Sequence, residues 1–221
     1  MNENKIFKTQ EIFIPGPAGR LEGIYYKSKK KGAPIVLILH PHPQFGGTMN
    51  NKIVLTVFKV FAMNNFSVLR FNFRGVGLSD GIFDNGQGEL SDAAAALDWI
   101  EKENIDNSQC WISGFSFGSL ISAQLLMRRP EISRFILLSP QPNVYDFSFL
   151  SPCPASGLVI YGEKDELVSK EHIDLFDKRI KNQKGIKVPF KGVNANHFFS
   201  NKENELIPIL NSYINKEIAI F

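Results

Sequence analysis

Gly114-Phe115-Ser116-Phe117-Gly118 is the stretch of this sequence best suited to chemistry. It follows an apolar run, Cys110 to Ser113, and precedes a helix-forming one, Leu120 to Met127. A serine so placed sits on a strained strand-to-helix turn. Flanking glycines let two backbones approach closely, and the helix N-terminus points free N–H groups at the reacting oxygen. The bare G-x-S-x-G pattern arises by chance in roughly one chain in ten of this length, with glycine at about 7% of residues. The strand-then-helix setting is what gives it weight.

A serine hydroxyl is a poor nucleophile until a base takes its proton, and the base needs an acid to orient it. The histidines are His40, His42, His172 and His197. His172 falls in the helical pattern around Ile173, on a face expected to be exposed. His197 ends the loop Gly192 to His197, between a short predicted strand, Ile186 to Phe190, and the last helix. The acid is Asp165, which follows the run Leu158 to Tyr161 through Gly162-Glu163-Lys164. Glu163 and Asp146 are the alternative acids, Asp146 lying after the preceding strand. Taken singly, Ser116 reads as a helix cap, His197 as a loop histidine and Asp165 as a turn carboxylate. Together, in this order and each just past its own strand, they read as a Ser-His-Asp triad.

Acyl transfer also needs two N–H donors aimed at the developing oxyanion. Phe117, next after the serine, supplies one. The loop His40-Pro41-His42-Pro43-Gln44-Phe45 supplies the other. Proline has no N–H, so His42 is the best placed donor, with Gln44 or Phe45 behind it. His40-x-His42 could in principle chelate a metal. No third ligand stands nearby, and Cys110 and Cys153 lie elsewhere, so neither metal nor other cofactor is expected. Arg74-Gly75-Val76-Gly77-Leu78-Ser79-Asp80-Gly81 is not G-x-G-x-x-G. It reads as a tight loop closing one side of the site rather than a dinucleotide cradle.

The elements that must position these residues follow a rhythm. Short apolar runs, Ile35 to Leu39, Val68 to Phe73, Cys110 to Ser113, Phe135 to Leu138 and Leu158 to Tyr161, alternate with helical patterns. Those patterns are marked by Ile53/Val57/Phe61, Leu90/Ala93/Ala94/Leu97, Ile173/Phe176/Ile180 and Leu206/Leu210/Tyr213/Ile214. Ser200-Asn201-Lys202-Glu203 reads as a capping box opening the last helix. Alternation predicts βαβ units: an α/β fold with a mostly parallel central sheet and helices on both faces. Glu11 to Ile14 and Leu21 to Tyr26, around Pro15 to Gly19, predict an N-terminal antiparallel hairpin at the sheet edge.

Composition narrows the partners. The chain has 221 residues, 43% of them hydrophobic and 21% charged, which fits one globular domain spanning 1–221. A net charge of +3 from 25 basic and 22 acidic residues gives no reason to expect nucleic acid. Lys27 to Gly32, the densest charge run, reads as a solvated turn. Two cysteines cannot build a disulfide framework, and the first ten residues carry no secretory apolar region, so a cytoplasmic setting is expected. No apolar stretch approaches the ~20 residues of a membrane span. The expected partner is a small-molecule acyl substrate, and a homodimer is compatible with the chain.

Several stretches carry a family resemblance. They are His40 to Pro43 with Gly46 to Lys52, Leu69 to Gly77, Gly114 to Gly118, Gln124 to Pro130 and Asn196 to Phe199. On these the chain resembles the α/β-hydrolase superfamily over essentially its whole length. In particular it is similar to small lidless bacterial predicted hydrolases akin to dienelactone hydrolases. The resemblance implies Ser116 as nucleophile, Asp165 as acid and His197 as base. It departs from the common pattern in one place, where His40-Pro41 stands for the usual His-Gly, which stiffens the loop and leaves the second oxyanion donor open between His42 and its neighbours. Lidded relatives insert a cap where this chain has only Ser139 to Gly157, so no cap domain is expected. Tyr145, Phe147 and Phe149 in that stretch either wall the acyl pocket or pack on the sheet. The implied function is a serine esterase that cleaves a small ester, thioester or lactone through an acyl-enzyme. A small serine peptidase or an acyltransferase would use the same triad, and a non-catalytic scaffold binding a ligand or partner is the alternative of another class.

Overall fold

The computed structural model describes residues 7–181, 183 and 185–218. The reading of a leaderless N-terminus rests partly on Met1 to Ile6, which lie outside the described residues. An eight-stranded sheet runs in the order β1-β2-β4-β3-β5-β6-β7-β8. β1 (Thr9–Gly16) and β2 (Gly19–Tyr26) form the antiparallel hairpin, and β2 pairs antiparallel with β4 (Ser67–Phe71). From there to the far edge all pairing is parallel, through β3 (Ile35–Leu39), β5 (Cys110–Phe115), β6 (Ile132–Leu138), β7 (Ser156–Gly162) and β8 (Phe190–Val193).

Every residue of β3, β4 and β5 is buried, as continuous apolar runs in a two-sided sheet require. Their side chains alternate between two cores. Ile35, Leu37, Leu39 and Ile112 meet α2 (Gln87–Glu103) and α3 (Phe117–Leu126), through Ala93, Leu97, Ile121 and Leu125. Phe176 and Ile180 of α4 (Lys170–Lys181) close the same side. Val36, Ile38 and Trp111 face the opposite way, onto Val57 and Phe61 of α1 (Lys52–Met63) and Leu206 and Leu210 of α5 (Glu203–Ile218). Trp111 is ringed edge-on by Phe61, Phe66 and Tyr213. No helix among the described residues is long and apolar enough to cross a membrane.

Some boundaries differ from the sequence reading. The last strand starts at Phe190, not Ile186. The carbonyls of Lys187 and Pro189 accept hydrogen bonds from Gly157 and Val159, but Pro189 has no N–H to return, so the ladder becomes regular only beyond it. The capping box at Ser200 to Glu203 does not form. Asn201 is left-handed (φ 59°) and swings the chain between Ser200 and α5, while Ser200 pairs with Asn196 instead. The reciprocal use of a glutamate occurs at α2, where buried Glu89 accepts from the amides of Gly86 and Asp84. β4 ends at Phe71, two residues early; beyond it the Asn72 amide still donates to the Glu22 carbonyl of β2, and the Phe73 amide turns to His40 Nε2. Between β6 and β7 there is only a 3₁₀ turn, Ser148–Leu150.

Candidate active site

Ser116 stands between β5 and α3 with φ 54° and ψ −116°, a region that L-residues rarely occupy and that costs about 1–3 kcal/mol. Its amide donates to the Leu138 carbonyl at 2.8 Å, which holds the turn against β6. The two glycines of the motif are needed sterically. A Cβ on Gly114 would lie 2.1 Å from the Gly118 carbonyl oxygen, and one on Gly118 would lie 2.5 Å from that of Leu39. Close contact of α3 with the end of β3 therefore brings the His40–Phe45 loop beside the serine.

His197 is fully buried, with Nε2 3.0 Å from Ser116 Oγ and Nδ1 2.7 Å from Asp165 Oδ2. A carboxylate only accepts, so Nδ1 carries the proton and donates it. Nε2 is then bare and accepts from the serine hydroxyl. The loop bearing His197 is stitched to the end of β7, where Glu163 and Lys164 donate to the Val193 and Ala195 carbonyls at 2.7 and 2.9 Å. Gly162 passes so near this loop that a Cβ would sit 2.5 Å from two of its carbonyl oxygens. Asp165 then follows directly, its Oδ1 fixed by the amides of Leu167 and Val168 at 2.8 and 3.0 Å.

The structure thus brings Ser116, His197 and Asp165 together. The alternative acids stand apart. Asp146 is exposed and accepts from both the amide and the hydroxyl of Ser148, bonds that hold its carboxyl below the ordinary carboxylate range. Glu163 is exposed; its amide bonds the Val193 carbonyl and its side chain lies against Gly192, away from His197. His172 is exposed and pairs with Ser169.

Phe117 opens α3, so its amide is one of the helix-end donors without an intrahelical acceptor. In the neighbouring loop the Gln44 amide donates to His42 Nδ1 and the Phe45 amide to the His42 carbonyl. Both are therefore engaged. The His42 amide has no protein acceptor among the described residues, which makes it the open donor of the three.

His40 is buried and joins two loops. Its Nδ1–H donates to the Pro41 carbonyl at 2.6 Å, and its Nε2 accepts from the Phe73 amide at 3.0 Å. Burial pushes its pKa from an ordinary 6.5 to about 4. The unfolded chain takes up this proton near 6.5 and the folded chain does not, so the stabilising contribution is complete above that pH. It is lost as the pH falls from about 6.5 to about 4, on the order of 3 kcal/mol in all. Denaturant midpoints measured stepwise from pH 7 to pH 4 should fall more steeply for the native chain than for His40→Gln, and equal slopes would refute this.

No cluster of three or more His, Cys, Asp or Glu able to hold a metal ion occurs among the described residues. Cys110 and Cys153 are free and buried, and burial raises both thiols. Around the serine, the His42 ring lies 4.7–4.9 Å from the rings of Phe45, Phe83 and Phe117. Phe83, two residues beyond the glycine-rich loop, packs on the rings of His42 and Phe117. The aromatic segment after β6 divides: Tyr145 faces Phe117, whereas Phe147 and Phe149 stack together and Phe147 packs on Phe176 of α4.

Two residues at the site escaped sequence reasoning. The Ser139 hydroxyl donates to the His197 carbonyl at 2.8 Å from a left-handed backbone (φ 43°), and the Gln141 carboxamide lies 3.3 Å from Ser116 Oγ. The available signal was Ser139-Pro140-Gln141-Pro142, polar residues pinned by prolines directly beyond a buried strand.

Residues 34–157 match the family described as alpha/beta hydrolase fold. Among solved structures, a protein of unknown function from Agrobacterium tumefaciens is 52% identical, with a TM-score of 0.92 over 95% of this chain and 97% of that one. An alpha-beta serine hydrolase homologue from Coxiella burnetii is 35% identical (TM-score 0.84, 92% and 96% covered). A Xanthomonas campestris protein described as an α/β serine hydrolase without lid is 27% identical (TM-score 0.83, 94% of each chain).

Proposed function

The chain belongs to the alpha/beta hydrolase fold family, and from that membership we propose that it is a serine hydrolase of small esters, thioesters or lactones. The observation that carries this reading is the hydrogen-bonded series Ser116–His197–Asp165, at 3.0 and 2.7 Å, on a strained elbow. Ser116 Oγ attacks the scissile carbonyl while His197 Nε2 takes its proton. The negative charge that develops on the carbonyl oxygen is met by the Phe117 and His42 amides, each worth about 10²–10³ in rate. Asp165 stabilises the imidazolium. The intermediate collapses, His197 returns the proton to the departing alcohol or thiol, and an acyl-serine remains. Water then attacks the acyl-serine, giving its proton to His197, and the acid is released with Ser116 restored.

Lactones enter the reading through the resemblance to dienelactone hydrolases, in which case the leaving alcohol stays tethered to the acyl group. Covalent labelling of Ser116 by a fluorophosphonate probe tests the reading, since a scaffold that only binds would not react. Turnover of an ester, thioester, lactone and peptide panel then fixes the bond cleaved.

Chain-length preference follows from the short segment between β6 and β7. It supplies Tyr145 to the site, while Phe147 packs on α4 with Phe149 stacked on it, so little wall remains to bury a long acyl chain. Each further CH₂ gains at most about 0.8 kcal/mol, and only where a wall exists. Among p-nitrophenyl esters, kcat/KM is expected to be highest for the shortest acyl groups. A steady climb from acetyl to palmitoyl would contradict this.

A further inference from the structure

Gln141 has no part in the mechanism above, yet its side-chain oxygen lies 3.3 Å from the Ser116 hydroxyl. Its backbone is held from several sides. Pro140 and Pro142 restrict the dihedrals on either flank. The Gln141 carbonyl accepts from the amides of Val144 and Tyr145 at 3.1 and 2.9 Å, and the Ser139 amide is bound to Ile160 at 2.8 Å. The side chain is half-buried, and its amide nitrogen has no protein acceptor among the described residues. Nothing in the packing requires a carboxamide there. An aliphatic side chain would fill the same space without leaving a donor unused.

The strand order fixes which part of a substrate it would meet. Across the C-terminal edge of the sheet the loops follow β3, β5, β6, β7 and β8, carrying His42, Ser116, Gln141, Asp165 and His197 in turn. Gln141 is thus on the opposite side of Ser116 from His42. When the scissile carbon bonds to Ser116 Oγ, its oxygen points to His42 and Phe117, and its leaving group must reach His197. The third substituent, the acyl carbon, takes the remaining direction, beside Gln141.

Resting on the serine-hydrolase reading, we propose that Gln141 is a substrate-recognition residue and that the site prefers acyl groups bearing an oxygen on the carbon next to the scissile carbonyl. On binding, the carboxamide gives up its contact with Ser116 and donates an N–H to that oxygen. The serine hydroxyl is then left to His197 alone.

p-Nitrophenyl methoxyacetate and p-nitrophenyl butyrate test this, because their acyl groups match in length and differ by one oxygen for one CH₂. The oxygen also raises intrinsic reactivity, so the kcat/KM ratio of the two esters is divided by their ratio for hydroxide-catalysed hydrolysis. The corrected ratio is expected to be about tenfold for the native chain, as one hydrogen bond can supply, and to fall to about one in Gln141→Leu. Gln141→Asn, measured alongside, keeps the amide but withdraws it, and should also lower the ratio. A native ratio near one overturns the proposal. So does a ratio that Gln141→Leu leaves in place or, should that variant not fold, one undiminished in Gln141→Asn. In either case fluorophosphonate labelling and butyrate turnover of the native chain would leave the hydrolase reading standing. Absence of both labelling and turnover in the native chain would instead refute the hydrolase reading, and this proposal with it.

Discussion

Ser116→Ala is expected to lower kcat/KM for p-nitrophenyl acetate by about 10⁴-fold or more while the protein stays folded. The substitution removes the oxygen that His197 Nε2 faces at 3.0 Å. The imidazole and the oxyanion donors stay in place, so a small residual rate above water is expected. Folding should survive, because among the described residues the hydroxyl contacts His197 and Gln141 alone, and the anchor of the turn is the Ser116 amide, which alanine keeps. The backbone strain at φ 54° is the same for alanine as for serine, so no strain is relieved or added. Initial rates, read beside a thermal melt, check both halves. A folded variant with full activity would refute the assignment of the nucleophile.

The turn at Ser116 was legible because its signal is local. Strand, turn and helix lie within about twenty consecutive residues, and the glycines at 114 and 118 are dictated by contacts that the turn itself creates. The central strands were legible for a similar reason. Burial on both faces leaves continuous apolar runs, and the alternation of Leu37 with Val36 and Ile38 between two cores follows from strand geometry alone. Ser139 and Gln141 were not legible, because their partners lie 58 and 25 residues away and no periodicity encodes such contacts. The capping box at Ser200 failed in the opposite way. Its residues satisfy the local pattern, but the left-handed Asn201 takes the chain out of the cap geometry. The start of β8 was missed because its four preceding residues run beside β7 while Pro189 withholds the returning hydrogen bond.

Choosing the acid was the hardest step from sequence, since Asp146 and Asp165 each follow a strand, and this choice carries the second large prediction. Asp165→Asn is expected to reduce kcat for short esters by about 10³ to 10⁴. The reason lies in how the carboxylate is held. Oδ1 receives two backbone N–H groups, from Leu167 and Val168, so the carbonyl oxygen of the new carboxamide must take that position. Its NH₂ is then turned toward His197 Nδ1, where Asp165 Oδ2 stood at 2.7 Å. A donor facing Nδ1 requires that nitrogen to be bare, which moves the imidazole proton to Nε2. In that tautomer Nε2 cannot accept the proton of Ser116, and the negative charge that would stabilise imidazolium is gone as well. Asp146→Asn serves as the paired measurement. Among the described residues its carboxylate accepts hydrogen bonds from Ser148, in an exposed turn, and a carboxamide oxygen can still accept from the Ser148 amide, so kcat should stay within about twofold and the melt should barely move. Rates for both variants on one ester, with melts to show that each is folded, decide between the two carboxylates. If Asp146→Asn proves crippling and Asp165→Asn mild, the acid belongs to the strand before β7, and the 2.7 Å contact between Asp165 and His197 does not orient the catalytic base.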